Sequence, residues 1–266
     1  MGGGLAVSTD FRKPGLNRLR DVFERGGVIL GAIVTSPSVS VVQTMARSGL
    51  DFVLIDLEHG AIALNDVHAM IAATAGTPLV PLVRVPERAA WHAKAPLDLG
   101  AMGICFPMTA RREDAEAAVK AVRYPPLGER FWGPFYAPLR WDLSMRDYLE
   151  RADQEVLAIG TIEHIDALRT IREVLATPGL DLVFIGPGDL ATSMGLKGQA
   201  DHPTVHAAID QLESAILESS VVLGGVAPST ERANEMIARG YRALVVGFDW
   251  SLLQRGIASI VDGVKR

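Results

Sequence analysis

Eight short apolar runs, rich in Val, Ile, Leu and Ala, recur at residues 28–34, 52–56, 79–84, 103–107, 157–162, 182–186, 222–226 and 243–248. Continuous runs of this kind suit strands buried on both faces. Between them lie segments with helical spacing: Val39 to Ser48, Leu64 to Ala75, Arg112 to Val122, Ile165 to Leu175, Pro203 to Glu218 and Thr230 to Arg239. Asn65 and Asp66 stand before an Ala-rich run, and Ser229 and Thr230 precede Glu231, both plausible helix starts. Alternating strand and helix implies a parallel sheet, and eight such units close most simply into a barrel. The expected fold class is α/β, a single eight-stranded parallel β/α (TIM) barrel over residues 1–266.

The spacing is irregular between the fourth and fifth runs, where the chain reads Tyr124-Pro125-Pro126-Leu127-Gly128-Glu129-Arg130-Phe131-Trp132-Gly133-Pro134-Phe135-Tyr136-Ala137-Pro138. Its Pro and Gly content argues against one continuous helix, and long loops in compact domains tend to be functional. The aromatics suggest an ordered lid or wall; the other reading is a loop that covers one end of the barrel or meets another subunit.

Composition narrows the partners. A net charge of −5 gives no basic footprint, so neither nucleic acid nor an anionic membrane is expected as a partner. No apolar stretch approaches the roughly 20 residues of a membrane span, and the Met1-Gly2-Gly3-Gly4 start leads into no signal-like apolar core. A cytoplasmic location is expected. The single cysteine, Cys105, rules out an intrachain disulfide and reads as a small buried hydrophobe.

Four of the runs end in charge: Asp56-Leu57-Glu58-His59, Arg84, Glu163, and Gly186-Pro187-Gly188-Asp189. In a parallel barrel these ends converge on one mouth. Glu163 and Asp189 end adjacent strands, so their carboxylates suit one hard divalent ion such as Mg²⁺ or Mn²⁺; each also stands where it could cap a following helix. Arg84 needs an anionic partner, either a planar substrate carboxylate or enolate, or Asp56 or Glu58. His59 is placed to act as a base near neutral pH. Asp98 falls where the third helix should return toward the barrel, and spacing does not say whether it meets His59. His202 and His206 have helical metal-pair spacing without a third ligand and read as a solvated helix start; His68, His92 and His164 read as surface or satisfied side chains. There is no nucleophile elbow, P-loop or dinucleotide fingerprint.

Over essentially its whole length the chain resembles the HpcH/HpaI aldolase family, metal-dependent class II pyruvate aldolases of the citrate lyase β-like superfamily. The segments that carry the resemblance are Ile55-Asp56-Leu57-Glu58-His59-Gly60, Val83-Arg84-Val85-Pro86, Arg123-Tyr124-Pro125-Pro126-Leu127-Gly128, Ile162-Glu163, Phe184-Ile185-Gly186-Pro187-Gly188-Asp189-Leu190 and Val246-Gly247-Phe248-Asp249.

The resemblance implies that Glu163 and Asp189 bind a divalent cation (Mg²⁺, Mn²⁺ or Co²⁺), and that Arg84 and the backbone after Pro187 hold pyruvate. His59, assisted by Asp98 and supported by Asp56, would handle the proton of the substrate hydroxyl. The implied reaction is reversible cleavage of a 4-hydroxy-2-oxo acid to pyruvate and an aldehyde, with oxaloacetate decarboxylation as a side activity. Alternatives are a macrophomate-synthase-like or acyl-CoA lyase variant on the same enolate, or a catalytically silent ligand-binding barrel. Family members are typically hexamers with an exchanged C-terminal helix, which residues 250–264 would supply.

The chain departs from the family pattern in two places. Thr161 stands where a glutamine is common, near pyruvate. Phe131-Trp132-Gly133-Pro134 replaces a segment of smaller residues, so Trp132, with Val226 on the seventh strand, is expected to line the aldehyde side and to favour aromatic or apolar aldehydes.

Overall fold

The computed structural model describes residues 17–265, so the reading of the Met1–Gly4 start falls outside the described residues. All eight expected strands form: β1 Ile29–Val34, β2 Phe52–Asp56, β3 Val80–Arg84, β4 Gly103–Phe106, β5 Leu157–Ile162, β6 Leu182–Ile185, β7 Val222–Val226 and β8 Ala243–Phe248. They pair in parallel and in chain order, and β1 joins β8 to close the barrel. The physical cause is the unbroken apolar character of each run, with one face of each strand lining the interior and the other covered by helices.

The interior follows the two-residue period of the strands. Phe52 on β2 and Phe184 on β6 meet inside with ring centroids 6.4 Å apart. Glycine makes room for both rings: a Cβ at Gly31 would collide with the Phe52 ring, and one at Gly224 would lie 2.7 Å from the Phe184 ring. Continuing the same parity to the carboxyl ends turns Asp56, Arg84, Thr161 and Gly186 toward the barrel axis. Of the rim charges seen along the sequence, Asp56 and Arg84 are therefore inward-facing members of buried strands, whereas Glu58, His59, Glu163 and Asp189 follow the strand ends.

Twelve helices occur among the described residues: α1 Arg18–Glu24, α2 Val39–Met45, α3 Leu64–Ala72, α4 Trp91–Asp98, α5 Arg112–Val122, α6 Ala137–Trp141, α7 Met145–Glu155, α8 Ala167–Leu175, α9 Pro187–Ser193, α10 Pro203–Leu217, α11 Thr230–Ala238 and α12 Asp249–Val261. The anticipated starts hold. The Ala63 N–H donates to Asp66 at 2.9 Å, and Ser229 accepts from the Arg232 N–H at 3.2 Å. His202 caps α10 through Nδ1, as a solvated helix start should. Five helices, α1, α4, α6, α7 and α9, lie outside the helical segments read from the sequence. α4 contains Pro96; α7 buries only Tyr148 and Ala152, so its apolar stripe is thin; α9 is a seven-residue helix led by Pro187.

The aromatic stretch corrects an expectation. α5 starts at the carboxyl end of β4 and returns to the amino end, where β5 begins, so residues 123–156 belong to the amino-terminal face. Their anchors agree: Arg123 Nη1 donates to the Val156 carbonyl at 2.9 Å, and Trp141 Nε1 to the Gly100 carbonyl at 3.2 Å, just ahead of β5 and β4 respectively. The stretch lies at the end of the barrel opposite the charged rim and is no lid over that rim within one chain.

Candidate active site

Asp56 is the hub of the mouth. It is fully buried at the end of β2, in register with Arg84 on β3. Arg84 grips it with two bonds, Nε to Oδ1 at 2.9 Å and Nη2 to Oδ2 at 2.7 Å. The same Oδ1 accepts the backbone N–H of Glu58 at 3.1 Å and of His59 at 3.3 Å, so one carboxylate fixes both the guanidinium plane and the turn that follows. Burial works against the Arg84 charge, but the bonds and charge of Asp56 outweigh it and hold the pKa above the ordinary range. The partner left open by the sequence is thus Asp56, with Glu58 as a second: Arg84 Nη1 lies 3.1 Å from Glu58 Oε2.

Glu58 is the residue for which the sequence supplied no role beyond salt bridging. Its Oε2 is buried and is held by the ion pair with Arg84 rather than by a hydrogen bond. Burial raises its pKa; Arg84 and His59 pull the other way, and the Asp56 and Asp189 charges add to the rise. The signal available beforehand was position, two residues beyond an inward-facing strand-end acid.

Glu163 follows β5 and is buried, its Oε1 accepting the backbone N–H of Met108 at 2.6 Å. Met108 takes a left-handed backbone conformation with φ 54°, which aims that N–H. Burial pushes the Glu163 carboxyl up to about 7; the Met108 bond opposes this, and the Glu58 and Asp189 charges reinforce it. Gly186 permits the approach of the next strand, since a Cβ there would lie 2.8 Å from Glu163 Oε2. Asp189 sits exposed in the first turn of α9, after Pro187 and Gly188.

Thr161 is buried directly below, its hydroxyl 3.4 Å from Cys105 Sγ and its methyl facing Gly186. The Cys105 thiol is raised to about 12 by burial, in keeping with a buried hydrophobe. Val226 ends β7, partly buried at the same rim. The His59 side chain is 63% exposed, with Glu58 as its nearest acid at 3.8 Å, so its placement depends on the backbone turn.

Two expected site residues are elsewhere. Asp98 ends α4, which runs from the β3 rim back to the amino end; there it lies 3.4 Å from Arg130 Nη2, under Gly133. Trp132 is on the amino-terminal stretch, 58% exposed and edge-on to Phe135. A strand of five residues spans about 16 Å, so neither side chain reaches His59 or Val226 of its own chain. His164, at the mouth, accepts the Asp166 N–H and is satisfied locally.

Fold and rim together define a β/α-barrel enzyme whose mouth pairs a clamped guanidinium with facing carboxylates. The chain belongs to the HpcH/HpaI aldolase/citrate lyase family, whose model matches residues 31–255. It is 34% identical over 250 residues to a 4-hydroxy-2-oxo-heptane-1,7-dioate aldolase of Escherichia coli, covering 92% of this chain and 93% of the relative. It is 31% identical over 244 residues to a 2-dehydro-3,6-dideoxy-6-sulfogluconate aldolase of Pseudomonas putida, covering 92% and 95%. A solved structure of a family protein from Burkholderia cenocepacia J2315 superimposes with a TM-score of 0.84 at 33% identity, covering 92% of this chain and 96% of that one. The protein is a carbon–carbon lyase of the aldolase kind. Among the described residues no helix is long and apolar enough to cross a membrane.

Proposed function

We propose that this lyase catalyses reversible, divalent-metal-dependent cleavage of a 4-hydroxy-2-oxo acid to pyruvate and an aldehyde through the pyruvate enolate. The observation that carries the reading is Arg84, locked by Asp56 at the rim beside Glu163 and Asp189. Such a fork is preorganised for the negative charge that develops on the 2-oxo oxygen as the enolate forms.

The residues fit a hard cation such as Mg²⁺, Mn²⁺ or Co²⁺. Glu163 and Asp189 offer oxygen donors from just beyond neighbouring strands, and burial, reinforced by the charges of Glu58 and Asp189, raises Glu163. Among the described residues no third His, Cys, Asp or Glu joins them to form a ligand cluster, so substrate and water would complete the shell. When bound, the cation would supply Lewis-acid polarisation of the 2-oxo acid.

The chain's own groups account for the rest. His59 takes the proton of the C4 hydroxyl, the C3–C4 bond breaks, its electrons pass to the 2-oxo oxygen, and the aldehyde leaves. Arg84 holds the enolate oxygen, and return of a proton to C3 gives pyruvate. Gly186, Pro187 and Gly188 bring backbone close to the substrate carboxylate, Thr161 forms the floor, and Val226 borders the aldehyde. Oxaloacetate decarboxylation would reach the same enolate without removing a hydroxyl proton.

Asp98 and Trp132 can serve this mouth only from a second copy of the chain, and they are read as trans contributions in a homo-oligomer, expected to be a hexamer. Support comes from α12, where Trp250, Leu253, Ile257 and Ile260 form an exposed apolar stripe that another subunit would cover. The preference for aromatic or apolar aldehydes then rests on the neighbour's loop.

The test is exchange of pyruvate C3 protons in D₂O, followed by NMR, alongside aldol cleavage. Both should vanish in EDTA and return with Mn²⁺, Mg²⁺ or Co²⁺; full activity in excess EDTA sinks the reading.

A further inference from the structure

We infer that Asp249 is a positioning residue for His59, holding the turn after β1 against which the histidine turn is seated. Asp249 is the first residue of α12 and is buried. Its carboxylate accepts four bonds from one dipeptide: Thr35 N–H at 3.2 Å and Thr35 Oγ1 at 2.8 Å on Oδ1, Ser36 N–H at 3.0 Å and Ser36 Oγ at 2.5 Å on Oδ2. Burial would raise its pKa, but these four donors more than offset it and keep the carboxyl below its usual range.

The dipeptide is the next link. The Thr35 carbonyl accepts the Ala61 N–H at 2.9 Å, fixing the far end of the turn that carries His59. Gly60 packs so tightly between Thr35 and Asp56 that a Cβ there would lie 3.1 Å from the Thr35 carbonyl and collide with that of Asp56. The turn is thus pinned at one end by Asp56, through the Glu58 and His59 N–H groups, and at the other by Thr35. Because the imidazole itself is exposed and weakly tethered, these two backbone clamps set its position. Removing Asp249 releases one of them. It touches no substrate in this arrangement; it acts through Thr35 on the base.

The inference rests on His59 being the base, and the experiment separates failure of the two ideas. Aldol cleavage and oxaloacetate decarboxylation are measured side by side on the full-length oligomer with Mn²⁺. Asp249→Ala should lower kcat for aldol cleavage by about 10²-fold with KM little changed, the scale of loss for a slight misplacement of a reacting group. Decarboxylation, which needs no hydroxyl proton removed, should fall by less than about threefold. In a His59→Ala background the residual aldol rate should not fall further, since both changes act on one step. Asp249→Asn keeps the volume and the Thr35 bonds but turns an N–H toward Ser36; it should give an intermediate loss and serves where the Ala variant does not fold. Equal losses in both reactions, an additive loss in the His59→Ala background, or an undiminished aldol rate in both variants overturns the assignment. A parent enzyme with neither reaction overturns instead the functional reading beneath it.

Discussion

Replacing Glu163 by Gln in the metal-free protein should make it more stable at alkaline pH, although it removes a group proposed to hold the cation. Burial, seconded by the charges of Glu58 and Asp189, lifts the carboxyl from 4.5 to about 7 against the opposing Met108 N–H. At about 1.36 kcal/mol per pKa unit, ionising Glu163 in the folded chain costs on the order of 3 kcal/mol. The folded-state pKa is the higher one, so between these values the folded chain keeps a proton that the unfolded chain has lost. The stability from this group is therefore full below the unfolded pKa and is lost as pH rises through about 7. The amide can still accept the Met108 N–H and carries no charge. Thermal unfolding in EDTA should show Glu163→Gln gaining up to roughly 3 kcal/mol over the parent at about pH 8, or roughly 6–10 °C in Tm. The gap should close toward about pH 5, where the folded parent is protonated. Mn²⁺ at about 100 times its Kd should then stabilise the parent by about 2.7 kcal/mol and the variant far less. A gap independent of pH, or a parent more stable than the variant at about pH 8, would refute the reasoning.

Three further outcomes follow from the same geometry. Asp56→Ala leaves the Arg84 guanidinium buried without its main partner, so denaturant unfolding should show a loss of about 3–5 kcal/mol; a loss below about 1 kcal/mol would contradict the clamp. Arg84→Lys keeps the charge but cannot grip both Asp56 oxygens or present a fork to the enolate, and kcat/KM for aldol cleavage should drop by about 10²- to 10³-fold. If Asp98 serves a neighbour's His59, mixing unfolded Asp98→Ala and His59→Ala chains and refolding them together should restore activity at about one quarter of the sites. Failure to rescue, with each variant inactive alone, would place Asp98 in a purely structural role.

Much of the barrel was legible because buried parallel strands must be apolar throughout, which leaves eight runs visible against the helical spacing. The rim was legible for the same reason: a charge at the end of such a run stands out, and the strand period turns Asp56 and Arg84 inward. α7 and α4 were not legible, one being too polar to show a stripe and the other interrupted by Pro96. Glu58 lay in plain view, but only its burial beside Arg84, which raises its pKa, separates it from an ordinary salt-bridge partner.

By itself the sequence determined the strand count, the parallel order, the charged rim and the family resemblance, since each depends on residue type and spacing along one chain. Only the tertiary structure decided which end of the barrel each segment occupies. A helix reverses direction without leaving a mark in composition, so the aromatic stretch around Trp132 and the carboxylate of Asp98 look close to the site in the sequence and lie at the opposite face in space. It also decided the partners: Arg84 with Asp56, Glu163 with the Met108 N–H, and Asp249 with Thr35 across more than 200 residues of chain. Hydrogen bonds and desolvation depend on distance through space, and barrel closure, which brings β8 beside β1, sets those distances.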